Sequence, residues 1–419
     1  MLKNRTVRAR EVMARCDSLA TFSEDAHSLR RTFLSPPMHN CHAEISNWLH
    51  RIGITAKVDH AGNIRGFYPG VKADSPRLLI GSHLDTVPNA GKYDGILGCV
   101  LAVALLEELD GARLPFGIEV IGFSEEEGVR FGIPFLGSRA VVGRFDGELL
   151  QRRDQNGLTV REAIEQFGLD ASRLSEAVLS EQARGYVEFH IEQGPALELC
   201  GRPLAAVEAI AGQTRGVLHF SGKANHAGTT PMHARRDALA GAAEWITAVE
   251  QTAKKTPDLV ATIGWIEAKP GATNVIPSEV RLSLDVRHKL DAVRLDAVER
   301  VKHLAMEIAA ARGLVANWNS SFEQRAVLMD SFLTGQIEAA IRASGCEPFR
   351  MTSGAGHDAM ILAERVPTAM IFLRSPDGIS HDPAETVLLE DVERAVECGL
   401  NLLLQLAHSP EFLERNPRA

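Results

Sequence analysis

Apolar positions along the chain follow two spacings. In residues 7–33 and 38–52 (MHNCHAEISNWLHRI) they recur every three or four positions, the spacing of amphipathic helices. Short strand-like pieces follow at 56–59, 64–68 and 77–83 (RLLIGSH), then an apolar helix over 95–109 and a strand over 117–124 (GIEVIGFS). Near-continuous apolar strands alternating with helices predict an α/β domain around a largely buried sheet. A different order begins near residue 216. Strand 216–221, helix 234–255, strands 259–268 and 279–288, helix 290–313 and strand 315–321 make a βαββαβ series, with Pro270, Gly271 and Pro277 as punctuation and Gly313 as a helix stop. Helix 330–344, the loop TSGAGHDA, strand 367–374 and helix 389–407 then return to α/β character. The expected architecture is a large mixed-sheet α/β domain, residues 1–211 and 326–419, with a ferredoxin-like domain, 212–325, inserted into it.

Length agrees with two domains, because 419 residues exceed what one simple core accommodates. The formal net charge is −9, from 45 basic and 54 acidic side chains, which argues against a nucleic-acid partner. The longest run of apolar residues and glycine, 95–106, is well short of the roughly 18 residues of a membrane span. No apolar segment follows the early basic residues to make a signal peptide. Cysteines 16, 41, 99, 200, 346 and 398 form no C-x-x-C pair and read as free thiols of a reducing cytoplasm.

Candidate chemistry gathers where strands end. In GSHLDTVPNAGKYDG (81–95), His83 closes an apolar strand, and Asp85, two residues on, is placed to receive its second ring N–H; Asp94 follows at a helix start. Glu125, Glu126 and Glu127 stand together after the next strand, in FSEEEGVRFG. As a solvated charge run they would be unremarkable. At the end of so apolar a strand they should instead open on the crevice where α/β proteins bind ligands, and a cation would relieve their repulsion. His190 in YVEFHIEQG and His381 in GISHDPAE have similar settings. Each alone is more simply a half-buried imidazole. Four strand ends of one sheet, all bearing His, Asp or Glu, instead supply ligands for two divalent cations.

These segments, with AIAGQTRG, NHAGTTPMHARRDAL, TNVIPSEV, DVRH and SGAGHDA, resemble the metal-dependent amidohydrolases of peptidase family M20, and among them the hydantoinase/carbamoylase branch. The resemblance implies a dinuclear-metal hydrolase domain carrying a lid and dimerisation domain. One ion would be held by His83, Asp94 and His190 and the other by Asp94, Glu127 and His381, with Asp94 bridging and Glu126 as general base. Zinc fits the mixed N/O donors, and Mn²⁺, Co²⁺ or Ni²⁺ would suit them too. It further implies that His226 polarises the scissile carbonyl from the partner subunit of a homodimer built through 212–325. Asn274 and Arg287 would hold a substrate carboxylate, and Gln193 and Gly356 the ureido group or carboxylate. Gln213 and Arg215 would add contacts, with His357 and Asp358 as supports of their loop. The implied reaction is hydrolysis of the terminal ureido C–N bond of an N-carbamoyl amino acid or related ureido acid, releasing ammonia and carbon dioxide. Allantoate and ureidoglycolate are the alternative substrates. An M20 peptidase or aminoacylase is the more distant reading, since those relatives usually place a carboxylate where this chain has His190.

Overall fold

The computed structural model describes residues 5–415. Two compact units divide the chain: one comprises the residues up to 208 and from 329 onward, the other 209–328.

A nine-stranded sheet organises the first unit. At its centre, Gly117–Phe123, Arg77–His83, Ala183–Ile191 and Thr368–Leu373 lie side by side and parallel. Antiparallel strands extend it on both sides: Ile64–Tyr68 then Ala56–Val58 on one, Leu204–Ile210 on the other. The central strands are buried on both faces, which explains their unbroken apolar sequences. Helix Ile96–Glu108 is likewise apolar almost all round, and every residue from Ile96 to Leu106 is buried. It lies on the sheet and beneath the helices Arg5–Ala20 and Leu389–Ala407, so no side of its first three turns meets water. Because the four central strands are parallel, their C-terminal ends, where His83, Ser124 and Ile191 sit, share one edge.

Several elements differ from the sequence expectation. The first helix stops at Ala20 rather than continuing to 33. Ser23 breaks it: its hydroxyl accepts the N–H groups of Asp25 and Arg30 and donates to the carbonyl of Ser28. The apolar residues beyond are held instead by the buried Arg31, which donates to the carbonyls of Leu19, Phe22 and Leu84. Strand Leu204–Ile210 and the short helices Leu136–Val141, Gly147–Gln151 and Val160–Gln166 carry too little periodicity to be predicted.

The second unit is a five-stranded antiparallel sheet in the order Val315–Gln324, Gly212–Ser221, Glu279–His288, with Val260–Thr262 and Ile266–Lys269 both on the far side of the last. The expected continuous strand over 259–268 is split in two, because the Ser283 hydroxyl accepts the N–H groups of Gly264 and Trp265 in place of the ladder. Helices Ala238–Lys255 and Asp291–Arg312 pack together, and buried Trp245 donates its ring N–H to the carbonyl of Val301. Among the described residues, no helix is long and apolar enough to cross a membrane.

Candidate metal centre

His83 and His190 sit at the ends of adjacent parallel strands, both almost wholly buried. Each ring turns its Nδ1 toward a main-chain carbonyl, His83 to Asp85 O at 3.0 Å and His190 to Ile191 O at 2.9 Å. A carbonyl only accepts, so both Nδ1 atoms carry hydrogen, and in the neutral ring that binds a metal each Nε2 presents its lone pair. Those two Nε2 atoms face each other at 3.3 Å. The Asp94 Oδ1 atom lies 3.3 Å from one and 3.1 Å from the other, buried and without a hydrogen-bond donor of its own. One proton relieves one such pair; a divalent cation satisfies all three donors at once. The second Asp94 oxygen, Oδ2, is 3.3 Å from His381 Nε2, which is itself 3.7 Å from Glu127 Oε1. Two three-residue groups that could each hold an ion thus share Asp94. The donor set fits two cations.

Close packing fixes this arrangement. Gly95 has φ +69°, and a β-carbon there would lie 2.4 Å from the His83 ring, so only glycine lets Asp94 approach. Asp85 does something other than expected. Its carboxylate oxygens accept the main-chain N–H groups of Glu126 and Glu127 at 2.9 and 3.0 Å, and Oδ1 is 3.6 Å from His83 Nδ1. The second N–H of His83 therefore goes to the Asp85 carbonyl, while the Asp85 side chain pins the glutamate loop.

Charge is concentrated here. Burial opposes ionisation of Asp94, but His190, His381 and His83 hold its carboxyl well below the usual range. Burial would lower the pKa of His83, yet Asp85 and Asp94 hold it well above the ordinary value. Burial and Asp94 push Glu127 up to about 7. For Glu126, burial dominates and Glu127, Asp358 and Asp85 add to it, against His83, so its carboxyl also binds protons more tightly than usual. Oxygens of Glu126 and Glu127 both converge with His83, so proximity alone does not separate their roles.

Gln193 (φ +60°) donates from Nε2 to Asp94 Oδ2 at 2.8 Å, which brings it into the centre. His357 packs edge-on to His190 at 4.5 Å and meets Ser353 Oγ through Nε2 at 2.8 Å, a supporting position. Gly356 precedes it beside Phe135, and Asp358 opens the buried helix Asp358–Leu362.

The remaining candidates form two groups within the second unit. Gln213, Arg215 and Arg287 all donate to Asp285, Arg287 through both Nε and a terminal nitrogen at 2.9 and 3.0 Å. Register explains this: Asp285 pairs with Arg215 and Arg287 with Gln213 on neighbouring antiparallel strands, so all four side chains share one face. Asp285 escaped the sequence reading, although its i,i+2 spacing to Arg287 is visible. His226 is joined to the Asn274 loop by a bridge to Val275 and by the Ala227 N–H donating to Asn274 O. Its Nδ1 accepts the Gly228 N–H at 3.0 Å, so the exposed neutral ring carries its hydrogen on Nε2.

Residues 79–405 match peptidase family M20/M25/M40. The chain belongs to this family. Allantoate deiminase from Arabidopsis thaliana is 37% identical to it, over 96% of this chain and 82% of that one. N-carbamoyl-L-amino acid amidohydrolase from Geobacillus stearothermophilus is 38% identical, over 87% and 90%. Among solved structures, an amidase of the hydantoinase/carbamoylase family from Burkholderia multivorans superposes with a TM-score of 0.90 at 30% identity, over 96% and 98% of the two chains. M20 proteins are metal-dependent, in agreement with the donor geometry.

Proposed function

We propose that the protein uses two divalent cations, zinc foremost, to hydrolyse the terminal ureido C–N bond of a small ureido acid, either an N-carbamoyl amino acid or allantoate. One water is consumed, and the products are ammonia, carbon dioxide and the amine freed when the resulting carbamate decomposes. It is a hydrolase of carbon–nitrogen bonds other than peptide bonds. The observation that carries the chemistry is the sharing of Asp94, Oδ1 toward His83 and His190 and Oδ2 toward His381. The substrate class rests on relatives named for N-carbamoyl amino acids and for allantoate, matched at similar identity.

Cations held by His83, Asp94, His190, Glu127 and His381 would supply Lewis acidity for the scissile carbonyl and for the attacking water. Glu126 takes the proton from the attacking water on its carboxylate and returns it to the departing nitrogen. Glu127 serves as ligand. Gln193 and Gly356 face the ureido end. Residues 212–325 act as a lid whose Arg287 and Asn274 grip the carboxylate, with Gln213 and Arg215 beside them, and whose His226 donates from Nε2 to the developing oxyanion. The same domain forms a homodimer: Val260 and Ile266, on its outermost strands, and Trp265 between them are 58%, 47% and 43% exposed. Six unpaired cysteines, four of them buried, support a reducing cytoplasm.

Ammonia release from the ureido acids, and free amino acid from the dipeptide, test the reading. The panel comprises N-carbamoyl-α-amino acids, N-carbamoyl-β-alanine, allantoate, ureidoglycolate and a dipeptide control, each with added Zn²⁺ or Mn²⁺ and after chelation. Metal-dependent turnover of a ureido acid is expected. Full activity in verified metal-free protein, or turnover of the dipeptide alone, would overturn it.

A further inference from the structure

Glu385 lies four residues after His381 and is 2% exposed. Its Oε1 accepts two consecutive main-chain N–H groups, Tyr93 at 2.8 Å and Asp94 at 3.1 Å. Its Oε2 is 3.1 Å from Ser380 Oγ, which is in turn 2.9 Å from Asp94 Oδ2. Glu385 therefore holds the Asp94 main chain directly, and the Ser380 hydroxyl beside it, which has a single hydrogen to give, holds the Asp94 side chain when it donates to Oδ2. The chain is shaped around it. A β-carbon on Gly91 would lie 2.3 Å from the Glu385 carboxyl, and one on Gly95 would strike the His83 ring. Residues 91–95 are thus threaded between Glu385 and His83 with no lateral room.

We infer that Glu385, with Ser380, is the positioning residue that divides the two Asp94 oxygens between the two ligand groups. Asp94 has one rotatable bond that decides this division, the one turning its carboxylate plane. Oδ1 has no hydrogen bond and is aimed at the two buried imidazoles, so nothing on that side fixes the plane. On the Oδ2 side, Ser380 and Gln193 both do. Gln193 also lies 3.4 Å from His381 and faces the site where substrate binds, so its contact is exchangeable. The Ser380 hydroxyl is half-buried and lies on the Glu385 side of Asp94, within its own loop. Without it the carboxylate is free to turn, and the Glu127/His381 group, whose His381 side chain is 49% exposed, suffers before the buried His83/His190 group. Residues that orient a ligand in this way typically change metal affinity by about 10–100-fold.

The inference rests on the two-cation reading above, and its test reads metal rather than turnover. Zn²⁺ is titrated into chelator-stripped protein by competition with a chromophoric chelator, and the thermal unfolding of each metal-free variant is recorded alongside. Wild type should bind two ions. Ser380→Ala, which leaves the main-chain contacts intact, should weaken the second ion at least tenfold while leaving the first within threefold and the metal-free Tm unchanged. Glu385→Ala should weaken it further. Glu385→Gln should recover most of the affinity, because the amide oxygen can accept both N–H groups and its NH₂ can donate to Ser380. Equal affinities in wild type and Ser380→Ala, parallel loss of both ions, or a Gln variant no better than Ala would overturn the assignment. Two-ion binding with this pattern but no ureido hydrolysis would instead sink the proposed function and leave the positioning role standing.

Discussion

Glu126 and Glu127 are adjacent residues of one chemical type, and only their surroundings distinguish them. Glu127 approaches His381, whereas Glu126 lies deeper, among Glu127, Asp358 and Asp85. Glu126→Gln should keep both cations and substrate affinity but lose at least about 10²–10⁴-fold in kcat, the usual share of a general base. Glu127→Gln should lose one cation. Metal analysis beside kinetics decides between them, and metal loss from the Glu126 variant alone would reverse the roles. His83, Glu127 and His190 were legible in the sequence because they stand at or just after the ends of apolar strands, where a charge has no packing reason to be, whereas Asp94 and His381 lie in loops. It misplaced the Asp85 contact, since spacing reveals which residues share a face but not which oxygen, main-chain or side-chain, a ring will choose. His42 offers a separate test at this scale. Burial above all, then His39 and Arg31, lowers its pKa to about 3, and neither ring nitrogen has a partner. Protonation therefore favours the unfolded chain: the contribution is intact above pH 6.5 and is lost as the pH falls from there toward 3. At pH 5 this amounts to about 2 kcal/mol relative to neutral pH. In His42→Leu the difference in unfolding stability between pH 7.5 and pH 5 should shrink by about that much, and an unchanged difference would show that His42 does not titrate as its burial requires.

Among the elements, the paired strands Gly212–Ser221 and Glu279–His288 show how register assembles a charged cluster that single residues do not announce. Their antiparallel pairing sets Gln213, Arg215, Asp285 and Arg287 on one face, and Asp285 holds the guanidinium of Arg287 in a fork. A fixed arginine pays little ordering entropy when a carboxylate arrives. Asp285→Asn should therefore raise KM for a ureido acid roughly tenfold, about 1.4 kcal/mol, with kcat within a few-fold of wild type. A fall in kcat at constant KM would place Asp285 outside substrate binding. Long periodic elements such as Asp291–Arg312 were legible because a whole face repeats. The first helix was overextended because Ser23 offers local hydrogen bonds that hydrophobic spacing does not register, and the third strand of the small unit was drawn unbroken because Ser283 is far away in sequence.

At the scale of the whole molecule, the question is where His226 acts. It belongs to the unit 209–328, while both ligand groups and Glu126 belong to the other. Its ring is exposed, and Gly228 holds the tautomer that presents Nε2–H outward, a donor with no acceptor in its own loop. Such a donor stabilises a developing oxyanion when it is brought to a site from which water has been expelled. His226→Ala should accordingly lower kcat by about 10²–10³-fold while both cations remain bound. If the donor reaches the partner subunit's centre, complementation follows from counting. His226→Ala protein lacks the donor but keeps Glu126, and Glu126→Gln protein keeps the donor but lacks the base. In a mixed dimer, one centre receives an intact base and an intact donor, and the other receives both defects. Mixing the two inactive variants, with subunit exchange verified by a mass or fluorescence label, should then restore up to a quarter of wild-type turnover at equal proportions, since half the dimers are mixed and half their centres are complete. Demonstrated exchange without recovery would mean that His226 serves the centre of its own chain, or none.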